Sequence, residues 1–280
     1  MCKNCGYRWR EHSRRNINYE KHYKEWLLSR KTLKTVSNEI GKSVKTVRKY
    51  FDELEEKDSL LPAPKEAINL IFDATYFGRE YGYMCFCDGE KIVYHQEIVS
   101  ESVAMLEECL TKLREAGYRF KSFTLDGKPG FISCLAKLYP KIPIQFCHFH
   151  QQAIVRRYIT QNPKSDSAKD LKYLMTKLTK SDPQSWINDF HALEKLHQNF
   201  LLERNENGGF LHSRLRSAFR SINNNIPFLF TYKNYPNLSI LNTTNHLESR
   251  FSHLKEKIKL HRGLDIKRKK KAISFLLKNS

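Results

Sequence analysis

Apolar residues recur at helical spacing through the first sixty positions. Ile17–Arg30 carries Tyr23, Trp26 and Leu27 on one side, which predicts a helix. Leu33, Val36 and Ile40 repeat that spacing, Gly41 interrupts it, and Ser43 is placed to cap a further helix bearing Val44, Val47 and Phe51. Two short helices joined by a Gly-containing turn predict a helix-turn-helix. Its second helix would present Lys42, Lys45, Thr46, Arg48 and Lys49, residue types suited to phosphate oxygens and base edges. A basic helical hairpin used only for packing has the same pattern. The following stretch, LEEKDSLLPAPKEA, contains Pro62 and Pro64 and reads as a linker, with a domain boundary near residues 60–66.

Beyond the linker the pattern changes to short runs of β-formers. Ala67–Phe77, YGYMCFC and KIVYHQEIV are separated by GREYG and DG turns, which predicts an antiparallel meander. A helical stretch then ends at Gly117, and a fourth strand, YRFKSFTL, runs into Asp126-Gly127. Pro129–Tyr139 reads as a helix, Ile142–Phe146 as a fifth strand and CHFHQQAIVRRYI as another helix. The order βββαβαβα resembles that of the RNase H-like fold, an α/β architecture built on a mixed sheet. That resemblance places the fourth strand beside the first, so that Asp73 and Asp126 become neighbours. From about Val155 to Ile240 the pattern is helical and amphipathic, as an insertion would be; Asn242–Asn245 then precedes a final helix with Leu247, Phe251, Leu254 and Ile258 on its apolar face.

The predicted organisation is therefore a residual zinc-ribbon half (1–12), a helix-turn-helix domain (13–60), a first catalytic segment (65–155), a helical insertion (156–240) and a last catalytic segment with a basic tail (241–280). Cys2 and Cys5 form a C-x2-C knuckle, whereas structural zinc needs four ligands, and His12 and His22 do not supply the usual spacing. Two readings stay open: half of a zinc ribbon, which is preferred, or two free thiols. The remaining cysteines, among them Cys85, Cys87, Cys109 and Cys134, lie in apolar surroundings and read as buried thiols rather than a disulfide framework.

Charge adds a partner. The formal net charge is +19, from 49 Lys+Arg against 30 Asp+Glu, which predicts a polyanion and, first among polyanions, nucleic acid. Arg214, Arg216, Arg220, Arg250 and Lys267–Lys271 are candidate phosphate contacts. No apolar window reaches membrane length and the N-terminus lacks a signal-peptide core, so a cytoplasmic, nucleoid-associated protein with no membrane partner is expected.

Three acids stand out as candidate chemistry. Asp73 interrupts an otherwise apolar strand, where an unpartnered carboxylate is costly. Asp126 precedes Gly127 and is equally consistent with an ordinary turn. Glu248, in TTNHLES, is equally consistent with a helix-capping box. Converging carboxylates repel unless a cation or proton intervenes, and hard oxygen ligands suit Mg²⁺ or Mn²⁺, two of which, about 4 Å apart, can drive phosphodiester chemistry. Asp170, Asp182 and Glu206 are rival acids without distinctive context.

IFDATYFG, FTLDG, CHFH and TTNHLES occur in an order that resembles the DDE transposases of bacterial insertion sequences. The likeness is to the mutator-type branch with an N-terminal zinc ribbon, and it covers roughly residues 67–260. The resemblance implies a catalytic triad of Asp73, Asp126 and Glu248 holding Mg²⁺ or Mn²⁺, with Asp73 bridging two ions. It implies that Cys147 and His150, its Cys-x2-His signature, play a supporting role near the scissile phosphate; on spacing alone the pair is also consistent with metal ligands or with simple packing. It further implies a homo-oligomer acting on double-stranded DNA, both element ends and target. The alternatives are a catalytically inactive or domesticated DNA-binding protein and a related RNase H-fold nuclease.

Overall fold

The computed structural model describes Cys5 and residues 17–55 and 59–279. Cys2, the other half of the predicted knuckle, lies outside the described residues, as do His12 and residues 13–16 of the predicted helix-turn-helix domain. The elements run α1 (Tyr19–Leu28), α2 (Leu33–Ile40), α3 (Val44–Glu53), β1 (Ile68–Tyr76), β2 (Gly82–Cys87), β3 (Ile92–Ile98), α4 (Val103–Glu115), β4 (Phe120–Leu125), α5 (Pro129–Leu138), β5 (Ile144–Phe146) and α6 (His148–Ile159). They continue with α7 (Asp166–Thr176), α8 (Pro183–Leu196), α9 (Gln198–Leu202), α10 (Ser213–Leu229), α11 (Thr231–Asn234), α12 (Asn245–Leu260) and α13 (Ile266–Lys278). No described helix is long and apolar enough to cross a membrane.

The chain divides into two compact units. The first holds α1, α2 and α3. Thr32 and Ser43 cap α2 and α3 by accepting the backbone N–H of Thr35 and Thr46, each at 3.1 Å. Gly41 ends α2 with φ at +69°, the left-handed conformation that turns the chain sharply into α3. Tyr23, Trp26, Leu27, Val36, Val47 and Phe51 are all buried, so the spacing read from the sequence marks the faces that pack.

Residues Leu254–Leu276 belong to this same unit. The predicted basic tail is helix α13. Its apolar face, including Ala272 and Ile273, is buried, and Phe275 sets its ring 5.1 Å from that of Tyr23. Arg268 forks onto Asp52 with two bonds of 2.8 Å, and Lys271 Nζ donates to the Asp52 carbonyl at 2.7 Å. Part of the basic run is thus engaged by an acid and by carbonyls at the end of α3.

The second unit is a mixed α/β domain on a five-stranded sheet of order β3-β2-β1-β4-β5. β1 pairs antiparallel with β2 and β2 with β3, while β4 runs parallel to both β1 and β5. One face is apolar: Leu70, Phe72, Met84, Phe123 and Leu125 pack with Leu106, Leu110 and Leu113 of α4 and Phe131 and Leu135 of α5. The linker is fastened to this domain, since Leu61 N–H donates to the Val93 carbonyl at 2.9 Å and the Tyr118 hydroxyl to the Leu61 carbonyl at 3.1 Å. The predicted helical insertion is α7 through α11, packed around Trp186, Phe190 and Phe219 in a second core that it shares with Phe146 of β5 and with Val155 and Ile159 of α6.

Strand alternation sends the intervening residues to the other face. There polar positions recur, Asn69 and Asp73 on β1 and Ser122 and Thr124 on β4, with the buried Ile71 between the two on β1. The segment entering α12 lies along this stripe. Asn69 Nδ2 donates to the Leu238 carbonyl at 2.9 Å, and the Thr124 hydroxyl to the Leu241 carbonyl at 2.9 Å. His148 N–H donates to the Asn242 carbonyl at 2.9 Å. A polar stripe on a buried sheet face is therefore satisfied by backbone from far along the chain, and that backbone carries Glu248.

Candidate functional site

β1 and β4 align Asn69 with Ser122 and Ile71 with Thr124. Carrying that register two residues further sets Asp126, just past the end of β4, beside Asp73. Both point to the polar face. The turn that follows Asp126 demands glycine: Gly127 has φ at +72°, and a Cβ there would fall 1.3 Å from a ring carbon of Phe146. The Asp126 carboxylate accepts the Lys128 backbone N–H at 3.3 Å, and the Asp73 carboxylate that of Ala74 at 2.8 Å.

Glu248 arrives on the first turn of α12. Thr244 precedes that helix, its carbonyl accepting the N–H groups of Leu247 and Glu248 at 2.9 and 3.1 Å. Glu248 is thus one position too far along for the capping box that its spacing from Asn245 allowed. Its side chain turns instead toward the Thr244 hydroxyl, 3.3 Å away, and toward His150 Nδ1, 3.7 Å away.

The electrostatics reflect this convergence. Burial pushes the Asp73 carboxyl up to about 7; the carboxylates of Asp126 and Glu248 push the same way, against His150 and the Ala74 N–H. Burial alone would lower His150, but its hydrogen bond to Cys147 and the charges of Cys147, Asp73 and Asp126 outweigh it and raise the imidazole to about 9. The three acids predicted from the sequence thus lie near enough to act on Asp73 together with His150, while among the described residues the tightest ligand grouping is Cys147, His150 and Glu248, within 4.8 Å of one another.

Cys147 and His150 sit where α6 begins. Cys147 is wholly buried, its N–H donating to the Leu125 carbonyl at 2.8 Å and its sulfur accepting the Thr244 N–H at 3.2 Å. The other histidine of CHFH, His148, has a different environment: it is buried against Phe230 and Tyr232, and burial lowers its pKa.

Two features went unread in the sequence. Thr244 is the hub of the site, its hydroxyl lying 3.4 Å from Cys147 Sγ and 3.4 Å from His150 Nδ1. Thr244 lies 94 residues beyond His150 in the chain, so nothing local in the sequence joins it to CHFH. Beside Asp126, Glu101 accepts the Tyr76 hydroxyl at 3.1 Å and lies 3.6 Å from Lys128 Nζ, so a second polar group flanks the acids.

The remaining candidates are distributed. Lys42, Lys45, Arg48 and Lys49 are exposed on α3 or the turn before it, and Lys49 lies 3.6 Å from Glu53. The Thr46 hydroxyl is paired with Ser43 at 2.8 Å. Arg250 donates to the Glu90 carbonyl in the β2–β3 turn, bracing α12. Arg214 and Arg216 donate to carbonyls of Arg157 and Leu201, at 2.6 and 3.0 Å, and Arg214 and Arg220 are both exposed. Cys5 is exposed. No protein-family model matches this chain, and no curated protein is similar to it.

Proposed function

We propose that the chain is a DDE-type DNA transposase whose catalytic domain is RNase H-like. The observation that carries this reading is the convergence of Asp73, Asp126 and Glu248, from a central strand, its parallel neighbour and a distant helix, on one polar sheet face. The sheet order β3-β2-β1-β4-β5, with three antiparallel strands followed by parallel ones, supports it as well.

The donor set fits a hard divalent cation. It offers carboxylate oxygens only, and a cation would relieve the burial, and to a smaller extent the repulsion from Asp126 and Glu248, that raise the Asp73 carboxyl. Asp73, Asp126 and Glu248 would hold one or two Mg²⁺ or Mn²⁺ ions. When bound, such ions supply an activated attacking oxygen and a stabilised leaving oxygen in phosphodiester chemistry.

The chain's own residues do the rest. Asp73 gives up its proton as the cation site forms, and the His150 imidazolium holds Glu248 in place beside it. The exposed basic residues of α3 engage the ends of the element, and the overall excess of positive charge gathers DNA by counterion release. Hydrolysis would free a 3′-hydroxyl at the element end, and that hydroxyl would then attack a phosphodiester of target DNA, displacing a new 3′-hydroxyl there. A homo-oligomer would hold two ends together.

The test is Mg²⁺-dependent nicking and joining of a DNA duplex carrying the terminal repeat that flanks the coding sequence. Nicked and joined products support the reading. A protein that binds the duplex and never cuts it contradicts the reading and favours a DNA-binding regulator.

A further inference from the structure

The start of α12 gathers donors of mixed softness on one side of His150. Cys147 Sγ, His150 Nδ1 and a Glu248 carboxylate oxygen all lie within 4.8 Å of one another. His150 Nδ1 is 3.7 Å from Glu248 Oε1. The Thr244 hydroxyl oxygen is 3.4 Å from the sulfur, 3.4 Å from Nδ1 and 3.3 Å from Oε1. Ligands held at about 2.0–2.3 Å around a tetrahedral cation stand about 3.3–3.8 Å apart. The four separations just given fall within that range.

Donor chemistry then selects the cation. Thiolate, imidazole and carboxylate together are a zinc set, whereas the oxygen-only acids of the neighbouring site suit Mg²⁺. Cys147 is fitted to be a thiolate ligand, because the Thr244 backbone N–H already points at its sulfur from 3.2 Å. An entry path exists: the side chains of His150 and Glu248 remain 27% and 28% exposed.

We propose that Cys147, His150 and Glu248 form a second cation site, selective for Zn²⁺, with the Thr244 hydroxyl or a water closing the tetrahedron. The site shares Glu248 with the Mg²⁺ acids. Binding releases the thiol proton of Cys147 and the imidazolium proton of His150 to solvent. Zn²⁺ in this position draws Glu248 away from Asp73 and Asp126, and only this consequence, inhibition of Mg²⁺-dependent cleavage, rests on the proposed function.

The test is a Co²⁺ titration of the full chain carrying Cys2→Ser and Cys5→Ser, which remove the other thiols placed for zinc. The expected result is a sulfur-to-cobalt charge-transfer band with the intense visible bands of tetrahedral cobalt, discharged by Zn²⁺. Cys147→Ser abolishes the charge-transfer band, and Glu248→Gln and His150→Ala weaken affinity at least about tenfold. Absence of the band, or its persistence in Cys147→Ser, overturns the proposal. Should Cys147→Ser fail to fold by circular dichroism, unchanged Co²⁺ affinity in Glu248→Gln overturns it instead. A normal cobalt spectrum in a protein that never cuts DNA counts against the transposase reading and leaves the zinc site standing.

Discussion

Nδ1 of His150 lies 3.7 Å from a carboxylate oxygen of Glu248, joining the first turn of α6 to the first turn of α12. Both residues reach Asp73 as well: His150 opposes the rise of the Asp73 carboxyl and Glu248 adds to it.

In cation-free protein the folded-state pKa of Asp73 is about 7, above its unfolded value of about 3.9. The folded chain therefore holds a proton that the unfolded chain has lost, and stability falls as pH rises through that window. His150, raised to about 9 from about 6.5, contributes stability that is present below its unfolded pKa and is lost as pH rises through 9. Both effects have the same sign. Urea denaturation in a chelator should show a midpoint that declines from pH 5 to pH 9, and Asp73→Asn should remove the lower part of that decline. At pH 8 the variant should be more stable than the parent by on the order of 1–3 kcal/mol, since it no longer buries a repelled charge.

Gly127 and Gly78 both have positive φ, at +72° and +81°, but their surroundings differ. A Cβ on Gly127 would meet the Phe146 ring, while nothing lies within 4 Å of one on Gly78. Gly127→Ala should cost about 3 kcal/mol or more and displace Asp126; Gly78→Ala should cost about 1 kcal/mol, the strain of the backbone alone. Denaturation midpoints of the two variants check this directly.

The exposed basic residues of α3 are expected to contact phosphates. Lys45→Ala should reduce the slope of log affinity against log salt by about 0.9 on duplex DNA, uniformly across sequences. Arg268→Ala tests the opposite case, because Arg268 is forked onto Asp52. It should leave the salt slope unchanged while lowering stability by up to about 1 kcal/mol, the modest value of a part-exposed ion pair. Fluorescence anisotropy over a salt series measures both.

Much of this architecture is legible in the residues themselves. The helix-turn-helix is read from Gly41 and Ser43 because a left-handed turn and an N-cap each leave a local signature. The acid on β1 is legible because Asp73 breaks an apolar alternation. Glu248 is not legible on physical grounds, since its partners Thr244 and His150 are distant in sequence or silent, and only a family resemblance selects it. The basic run ending at Lys271 misleads for a related reason: charge density marks a solvated face, while Ala272 and Ile273 behind it mark the buried one, and nothing local says that Asp52 lies opposite Arg268. Long-range pairings of this kind have no local pattern to read.

If Asp73 is a ligand of a phosphodiester-cutting site, single-turnover cleavage of a terminal-repeat duplex in Mg²⁺ depends on it. Asp73→Asn is expected to fold, to bind the duplex as the parent does, and to cut it at least about a thousandfold more slowly, the scale expected when a dominant electrostatic contribution to the transition state is lost. Cleavage by Asp73→Asn at the parent's rate would show that Asp73 is not a ligand of the cutting site.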